Sequence, residues 1–281
     1  MSASGGGIAA PVRPGPLAPY LGLFRMRLVR GLAYRAAAAA GVATQFFWGF
    51  IMISVFQAFA RAGYSPLDPR EIASYVWLQQ AFLVLVVVWF RDAELIRLIT
   101  TGDAAYELVR PVDLYAQWYA RLLGGRLAGA ALRSLPILLV AGLFPEPWRF
   151  HLPPDLAQAG LAFVALALAA ALTVAVSMFA YILALVTLQP YAAFILLAPL
   201  AEFCSGLLVP LPFLPDALRR VLEWLPFRAM LDLPARLWSA SLPASDSLRP
   251  FALGLAWLLV LVPLGRAALA AALRARDVPG G

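Results

Sequence analysis

What most limits this 281-residue chain is a series of apolar runs, each about as long as a bilayer core is thick, in a sequence that is 63% hydrophobic and 13% charged. A soluble domain is about 45–50% apolar, and a run of about 20 apolar residues matches hydrocarbon thickness. Six spans are expected: Ala36–Phe59, Ile72–Phe90, Leu122–Phe144, one within Leu156–Leu188, Ala192–Val209 and Pro250–Leu273. At about 1.5 Å per residue each can cross, and the overlong fourth implies tilt or extension past the bilayer. The expected fold class is all-α, a polytopic membrane protein with one transmembrane domain over residues 18–281 after a tail over 1–17. The start, MSASGGGIAAPVRPGPLAPY, has no continuous apolar core behind an early basic group. It therefore reads as a flexible cytosolic tail rather than a cleaved signal peptide.

All 22 Lys/Arg positions hold arginine, and the net charge is +7. No basic block or aromatic–basic platform accompanies that charge, so nucleic acid is not an expected partner. The arginines instead follow membrane topology. With six spans, twelve lie on the side of the termini and the 91–121 elbow and eight on the other, five of the twelve preceding the first span. Because Lys/Arg-rich short loops stay cytoplasmic, both termini and the elbow are expected inside, in a cell membrane. Ahead of the first span, Leu21, Phe24, Leu28 and Leu32 share a helical face opposite Arg27 and Arg30, although Leu23 and Met26 interrupt the polar side. That suits a helix lying in the lipid interface, or else a simple extension of the first span. Between the fifth and sixth spans, prolines at 210, 212, 215, 226, 234 and 243 cut an apolar segment into short pieces. Such pieces read as outer re-entrant or interfacial helices, serving either as a cap on a translocation path or as anchoring through Trp224 and Trp238.

Catalytic motifs are missing. A phosphate-cradling GxxxxGK[ST] loop needs a lysine, and the chain has none. His151, the sole histidine, has no second His or Cys at ligand spacing and reads as an interfacial surface residue, so no metal is expected. Cys204 reads as a small buried hydrophobe. Neither an enzyme nor a resident cofactor is expected. Ionisable groups within spans are costly and default to functional candidates: Arg126, near a span end and able to snorkel, Arg133, and Glu202 just after Pro199. Arg133 and Glu202 either pair or line a substrate path. Gln45, Gln57, Gln79 and Gln80 are expected to face other helices or a cavity, Gln45 and Gln79 being path candidates. Gly125 and Gly129 form a small-xxx-small pair that permits close helix approach.

The remaining anomaly is the polar interruption TTGDAAYELVRPVDLYAQWYARLLGG at 100–125. Thr101 or Asp103 can cap a helix, Asp103 and Glu107 suit its positive N-terminal half, Arg110 suits its negative end, and Pro111 stops it. A short helix over Asp103–Arg110 is expected, with Asp113 capping the next helix. A helix so capped, raised on two helical stalks, is something a partner protein can push.

The run Gly102-Asp103-Ala104-Ala105-Tyr106-Glu107-Leu108-Val109-Arg110-Pro111 resembles the GD…L-x-RP cytosolic loop of ABC-2 type transporter permeases. The outer stretch Ser205-Gly206, Val209-Pro210, Leu214-Pro215 and Leu225-Pro226-Phe227 resembles the segment before the last span of the same family. The resemblance implies the membrane subunit of an ABC exporter, a homodimer or a heterodimer with a related permease, moving a hydrophobic or amphipathic substrate. It implies an ABC ATP-binding subunit as partner, with ATP and magnesium on that partner. The elbow would be the coupling helix, touching the ATPase through Gly102, Asp103, Glu107, Leu108, Arg110 and Pro111. A secondary carrier or channel acting alone is the alternative; it would want broken helices at the midplane and a relay of ionisable groups.

Overall fold

The structure is a computed structural model and describes residues 17–33, 35–103, 107 and 112–276. Among them every regular element is helical. These are α1 (Ala18–Leu32), α2 (Arg35–Arg61), α3 (Pro69–Ala81), α4 (Leu83–Val86), α5 (Ala93–Thr101), α6 (Leu114–Ala141), α7 (Leu156–Thr187), α8 (Pro190–Cys204), α9 (Asp216–Leu222), α10 (Asp232–Trp238) and α11 (Leu248–Arg276). Single 3-10 turns at Leu211–Phe213, Pro226–Met230 and Ala244–Asp246 fill the proline-rich part.

Among the described residues, four stretches are long and apolar enough to cross a membrane: Ala39–Arg61 in α2, Leu114–Ala141 (α6), Leu156–Thr187 (α7) and Ala244–Ala275 around α11. In α7 56% of the apolar window is buried inside the protein, against 17–28% in the other three. Helix α7 is thus the central column, and the others turn apolar faces outward. Leu135 and Leu139 on α6, Leu143 just past its end, and Leu255, Leu259 and Leu264 on α11 are all more than half exposed. Apolar faces of that extent are not sustained in water, and the chain is a membrane protein.

Two of the six expected spans are not helices of crossing length. The second, Ile72–Phe90, breaks at Phe82 into α3, the four-residue α4 and extended backbone at Val87. The fifth is the 15-residue α8, with Pro199 inside it. The physical reason is burial. Every residue from Ile72 to Ala81 is buried, so protein rather than lipid surrounds this run and bilayer thickness does not set its length. Hydropathy alone does not separate an apolar run that faces lipid from one that faces other helices.

Local chemistry accounts for the element starts. Asp68 caps α3 in a capping box with Glu71, behind Pro69. Asp113 accepts from the Ala116 N–H at 2.6 Å to start α6, and Asp155 from the Gln158 N–H at 2.7 Å to start α7. Helix α7 stops at Leu188, in left-handed backbone, and the turn into α8 is as short as expected.

Two ends of the bundle are distinguishable. At the far end, Gln57 donates to the Pro147 carbonyl, Trp77 to the Trp148 carbonyl, and Gln158 to the carbonyls of Leu237 and Leu242. Trp238 is buried there, stacked on Phe150 with its indole N–H on the His151 carbonyl, so it is a core residue and not an interfacial anchor. Trp224 remains exposed. Asp232, fully buried, accepts from Tyr75 and Arg228. At the elbow end lies α1, separate from α2, running along the first half of α6. Tyr20, Phe24, Arg27 and Gly31 face Asp113, Gly124 and Ala128. This packing face differs from the apolar face read in the sequence; Leu21 is exposed.

The close approaches on α6 are made by Gly124 and Gly129, not by the Gly125–Gly129 pair. A Cβ at Gly124 would sit 2.8 Å from the Phe24 carbonyl oxygen, and one at Gly129 2.9 Å from Val84, whereas one at Gly125 would meet nothing within 4 Å. Gly124→Ala is therefore expected to destabilise the protein by about 1–3 kcal/mol through overpacking. Gly125→Ala should be neutral or gain up to about 1 kcal/mol of helix propensity. Thermal unfolding of the two variants in one detergent checks the contrast.

Candidate functional site

The three ionisable side chains expected inside spans converge on one place, the unwound stretch Val87–Arg91. Arg126, 4% exposed, reaches it from α6. Its guanidinium donates to the carbonyls of Val84 at 2.9 Å, Val87 at 2.7 Å and Phe90 at 3.3 Å, and to the Ser177 hydroxyl on α7 at 3.0 Å. A planar fork with five donors serves several carbonyls at once. Rather than snorkelling to a surface, Arg126 fills the hydrogen-bond deficit that the break creates. Arg133 lies against Gly41 with its guanidinium 5.6 Å from the Phe90 ring centre. Glu202, half-buried, sits beside the Trp89 backbone amide with one carboxylate oxygen unpartnered. The expected Arg133–Glu202 pair is not formed: among the described residues neither has an ion-pair partner. Arg91 closes the stretch, stacked between the rings of Trp89 and Tyr191 at 4.4 and 4.8 Å.

The glutamines divide. Gln79 is buried and donates to the Leu207 carbonyl at 2.9 Å, tying α3 to the chain after α8. Gln45 is buried on α2 with its carbonyl oxygen unpartnered. Among the described residues, neither touches the unwound stretch through a hydrogen bond. His151 is half-buried, 3.2 Å from Glu146, and Cys204 is a buried free thiol. No group of three or more metal-ligating side chains occurs among the described residues.

Directly after the unwound stretch a charged clamp begins. Asp92 caps α5, its carboxylate accepting from the backbone N–H groups of Glu94 and Leu95. The same carboxylate takes Arg121 in bidentate fashion, at 2.8 and 2.7 Å, with Arg27 at 3.9 Å. The Asp92 N–H donates to the Tyr181 hydroxyl on α7. Glu94 accepts from Arg27 at 2.6 Å and faces Arg121 at 3.1 Å and Arg30 at 3.6 Å. Burial pushes both carboxyls up, but the hydrogen bonds and charges of Arg121 and Arg27 outweigh it and hold both below their ordinary values. One short helix is thereby bolted to α1, α6 and α7.

The ends of helix α5 were legible in the sequence but unread. Asp92 followed by Glu94, buried Leu95 and Ile99 four apart, and Gly102 beyond the last turn are ordinary start and stop signals. Thr101 belongs to this helix rather than capping the next, and Gly102 holds the left-handed position that ends it, φ +78°. Asp103 accepts from the Thr101 hydroxyl at 2.7 Å and lies 3.5 Å from Arg97. Glu107, in helical conformation, accepts from the buried Trp118 indole at 2.7 Å. The rest of the expected Asp103–Arg110 helix, including Leu108, Arg110 and Pro111, lies outside the described residues, as does the 1–16 tail.

Comparison with protein-family models, with curated proteins and with solved structures finds no match.

The clamp has a definite pH signature. Carboxyls held below their unfolded values of about 3.9 and 4.3 contribute fully above that range and lose their contribution as pH falls through the folded values. Amide-exchange protection across Ala93–Thr101 is expected to stay constant from pH 7 to 5 and to fall below about pH 4. Asp92→Asn should lose that protection at neutral pH, by on the order of 3 kcal/mol, because it takes the bidentate carboxylate from buried Arg121 and leaves it only Glu94 at 3.1 Å. Unchanged exchange in Asp92→Asn would show that the clamp does not hold α5.

Proposed function

We propose that this chain is the membrane-spanning permease subunit of an ATP-driven exporter of the ABC-2 type. Its elbow would face the cytosol, both termini would lie inside, and the chain would pass six times between the two faces of a cell membrane. The broken second stretch and α8 are counted as passes because α1 and Glu94 touch at the elbow end while α3 begins among far-end residues. The single observation that carries the reading is the clamp. A helix leading straight to the GD…RP elbow is fixed by Arg27, Arg30 and Arg121 to two long elements of the bundle. A push on such a tip moves α1 and α6 rather than bending a loop. The source of the push would be a separate ATP-binding subunit carrying ATP and magnesium, since a chain with no lysine has no Walker loop of its own.

In this reading ATP binding draws two permeases together through their elbows and shifts them from an inward- to an outward-accessible state. The shift is set by the nucleotide's differential affinity for the two states. The permeases are either two copies of this chain or one copy and a related one. The unwound Val87–Arg91 stretch, whose carbonyls are held by Arg126, is the joint nearest the elbow. Apolar helix faces and few ionisable groups suit a hydrophobic or amphipathic cargo.

One observation favours a second reading, a carrier acting alone: the unwound stretch with Arg126, Arg133 and Glu202 beside it is the kind of interrupted helix that secondary transporters place at their binding sites. The two readings separate experimentally. In vesicles holding the permease with its ATP-binding subunit, the double variant Asp103→Ala/Arg110→Ala is expected to lower permease-stimulated ATPase activity at least tenfold while leaving assembly of the membrane domain intact. Full stimulation by that variant, or transport by the permease alone under an ion gradient, removes the exporter reading.

A further inference from the structure

At the elbow end α1 does not close against its neighbours. Between α1, the first half of α6 and α11 runs a groove of about 500 Å³. Its walls are apolar: Leu21, Phe24, Tyr119, Leu123, Leu258 and Val262. Polar groups gather at one level only, where α6 begins. Arg266 lies there with its guanidinium 3.7 Å from Asp113 and 5.8 Å from the Tyr115 ring centre. Its side chain is 53% exposed, so this pair is loose and worth little, and most of its donors are uncommitted. The Asp113 carboxylate is itself engaged in capping α6. The Tyr20 hydroxyl accepts from the Asp113 backbone N–H at 2.8 Å, which leaves its own proton to donate.

A slot with a cationic and hydroxyl mouth and a greasy interior is selective in shape and charge together. Its volume lies in the range that holds one small amphipath. A second copy of this chain would need a protruding apolar ridge to enter it, whereas a flexible hydrocarbon chain enters from the surrounding bilayer without distortion. Basic pockets between membrane helices take anionic lipid headgroups, and each arginine near the surface contributes about fivefold in affinity. We propose that the groove binds one anionic glycerophospholipid, an acyl chain along the apolar walls and the phosphate at Arg266 and Tyr20. Bound there, the lipid bridges α1 to α11, two elements that the protein leaves apart at this level. The proposal needs only the bilayer, not an ATPase, so its failure leaves the exporter reading standing and the reverse also holds.

Purified full-length chain, delipidated in detergent and offered equal amounts of dioleoyl phosphatidylglycerol and dioleoyl phosphatidylcholine, is the test, read by native mass spectrometry. The wild type is expected to retain the glycerol lipid about fivefold over the choline lipid. Arg266→Gln should bring the two to parity, and Ala120→Trp, which fills the groove, should abolish retention of both. Val262→Trp fills the same groove from the opposite wall and carries the test if Ala120→Trp fails to fold, as judged by elution volume and melting temperature. Equal retention by the wild type overturns the proposal, as does a glycerol-lipid preference that survives Arg266→Gln. Lipid retention surviving in a folded tryptophan variant also overturns it. So does conversion of a dimer to a monomer by those variants with lipid binding unchanged, which would assign the groove to a second copy.

Discussion

Backbone carbonyls buried away from water must find a donor within the protein, and this requirement organises the elbow end of the molecule. The second apolar run unwinds after α4, and three of the carbonyls it frees are taken by a single guanidinium, that of Arg126. A lysine would place one point charge there; the arginine fork spreads its donors from Val84 to Phe90. Because Arg126 also donates to Ser177, it fixes the unwound stretch to both α6 and the central column α7. The direction in which the chain leaves the bundle toward α5 follows from that anchoring.

The clamp continues the same logic in charged form. Asp92 is a helix cap, an ion-pair partner and a backbone donor to Tyr181 at once. Few substitutions satisfy all three roles, and the cluster joins α1, α5, α6 and α7 where a partner subunit would act. A helix fixed by a clamp and an interrupted helix before it are what a lever requires. The same interrupted helix is what a carrier requires, so the geometry of the stretch alone does not choose between them; the elbow motif and the missing lysine weigh toward an external energy source.

How far the sequence spoke can be traced through particular residues. Long lipid-facing helices were legible because α2, α6, α7 and α11 are apolar over a bilayer's thickness, and the Asp113 cap was legible because a side-chain acceptor before an apolar run has one ordinary use. The break in the second run was not. Nothing in hydropathy marks Phe82 as a break point, and the donor that permits the break, Arg126, lies 44 positions further on. Of the two arrangements left open for Arg133 and Glu202, pairing and lining a path, the pair does not form, because sequence places them on spans but not on facing sides. Trp238 could be offered as an anchor because indoles favour interfaces, yet a stacked Phe150 and the His151 carbonyl satisfy both its ring and its N–H inside the protein. Helix α5 was anticipated only as a helical stalk under the elbow, without its Asp92 start or its Gly102 stop.

The central claim is that one arginine sustains the unwound stretch. Equilibrium unfolding of Arg126→Met, compared with wild type in the same detergent, tests it most directly. The buried carbonyls of Val84 and Val87 left without a donor, at about 1–3 kcal/mol each, should lower stability by at least about 2 kcal/mol, with faster amide exchange concentrated at Leu85–Glu94. A variant as stable as the wild type, or one whose exchange is unchanged through that segment, would contradict the account.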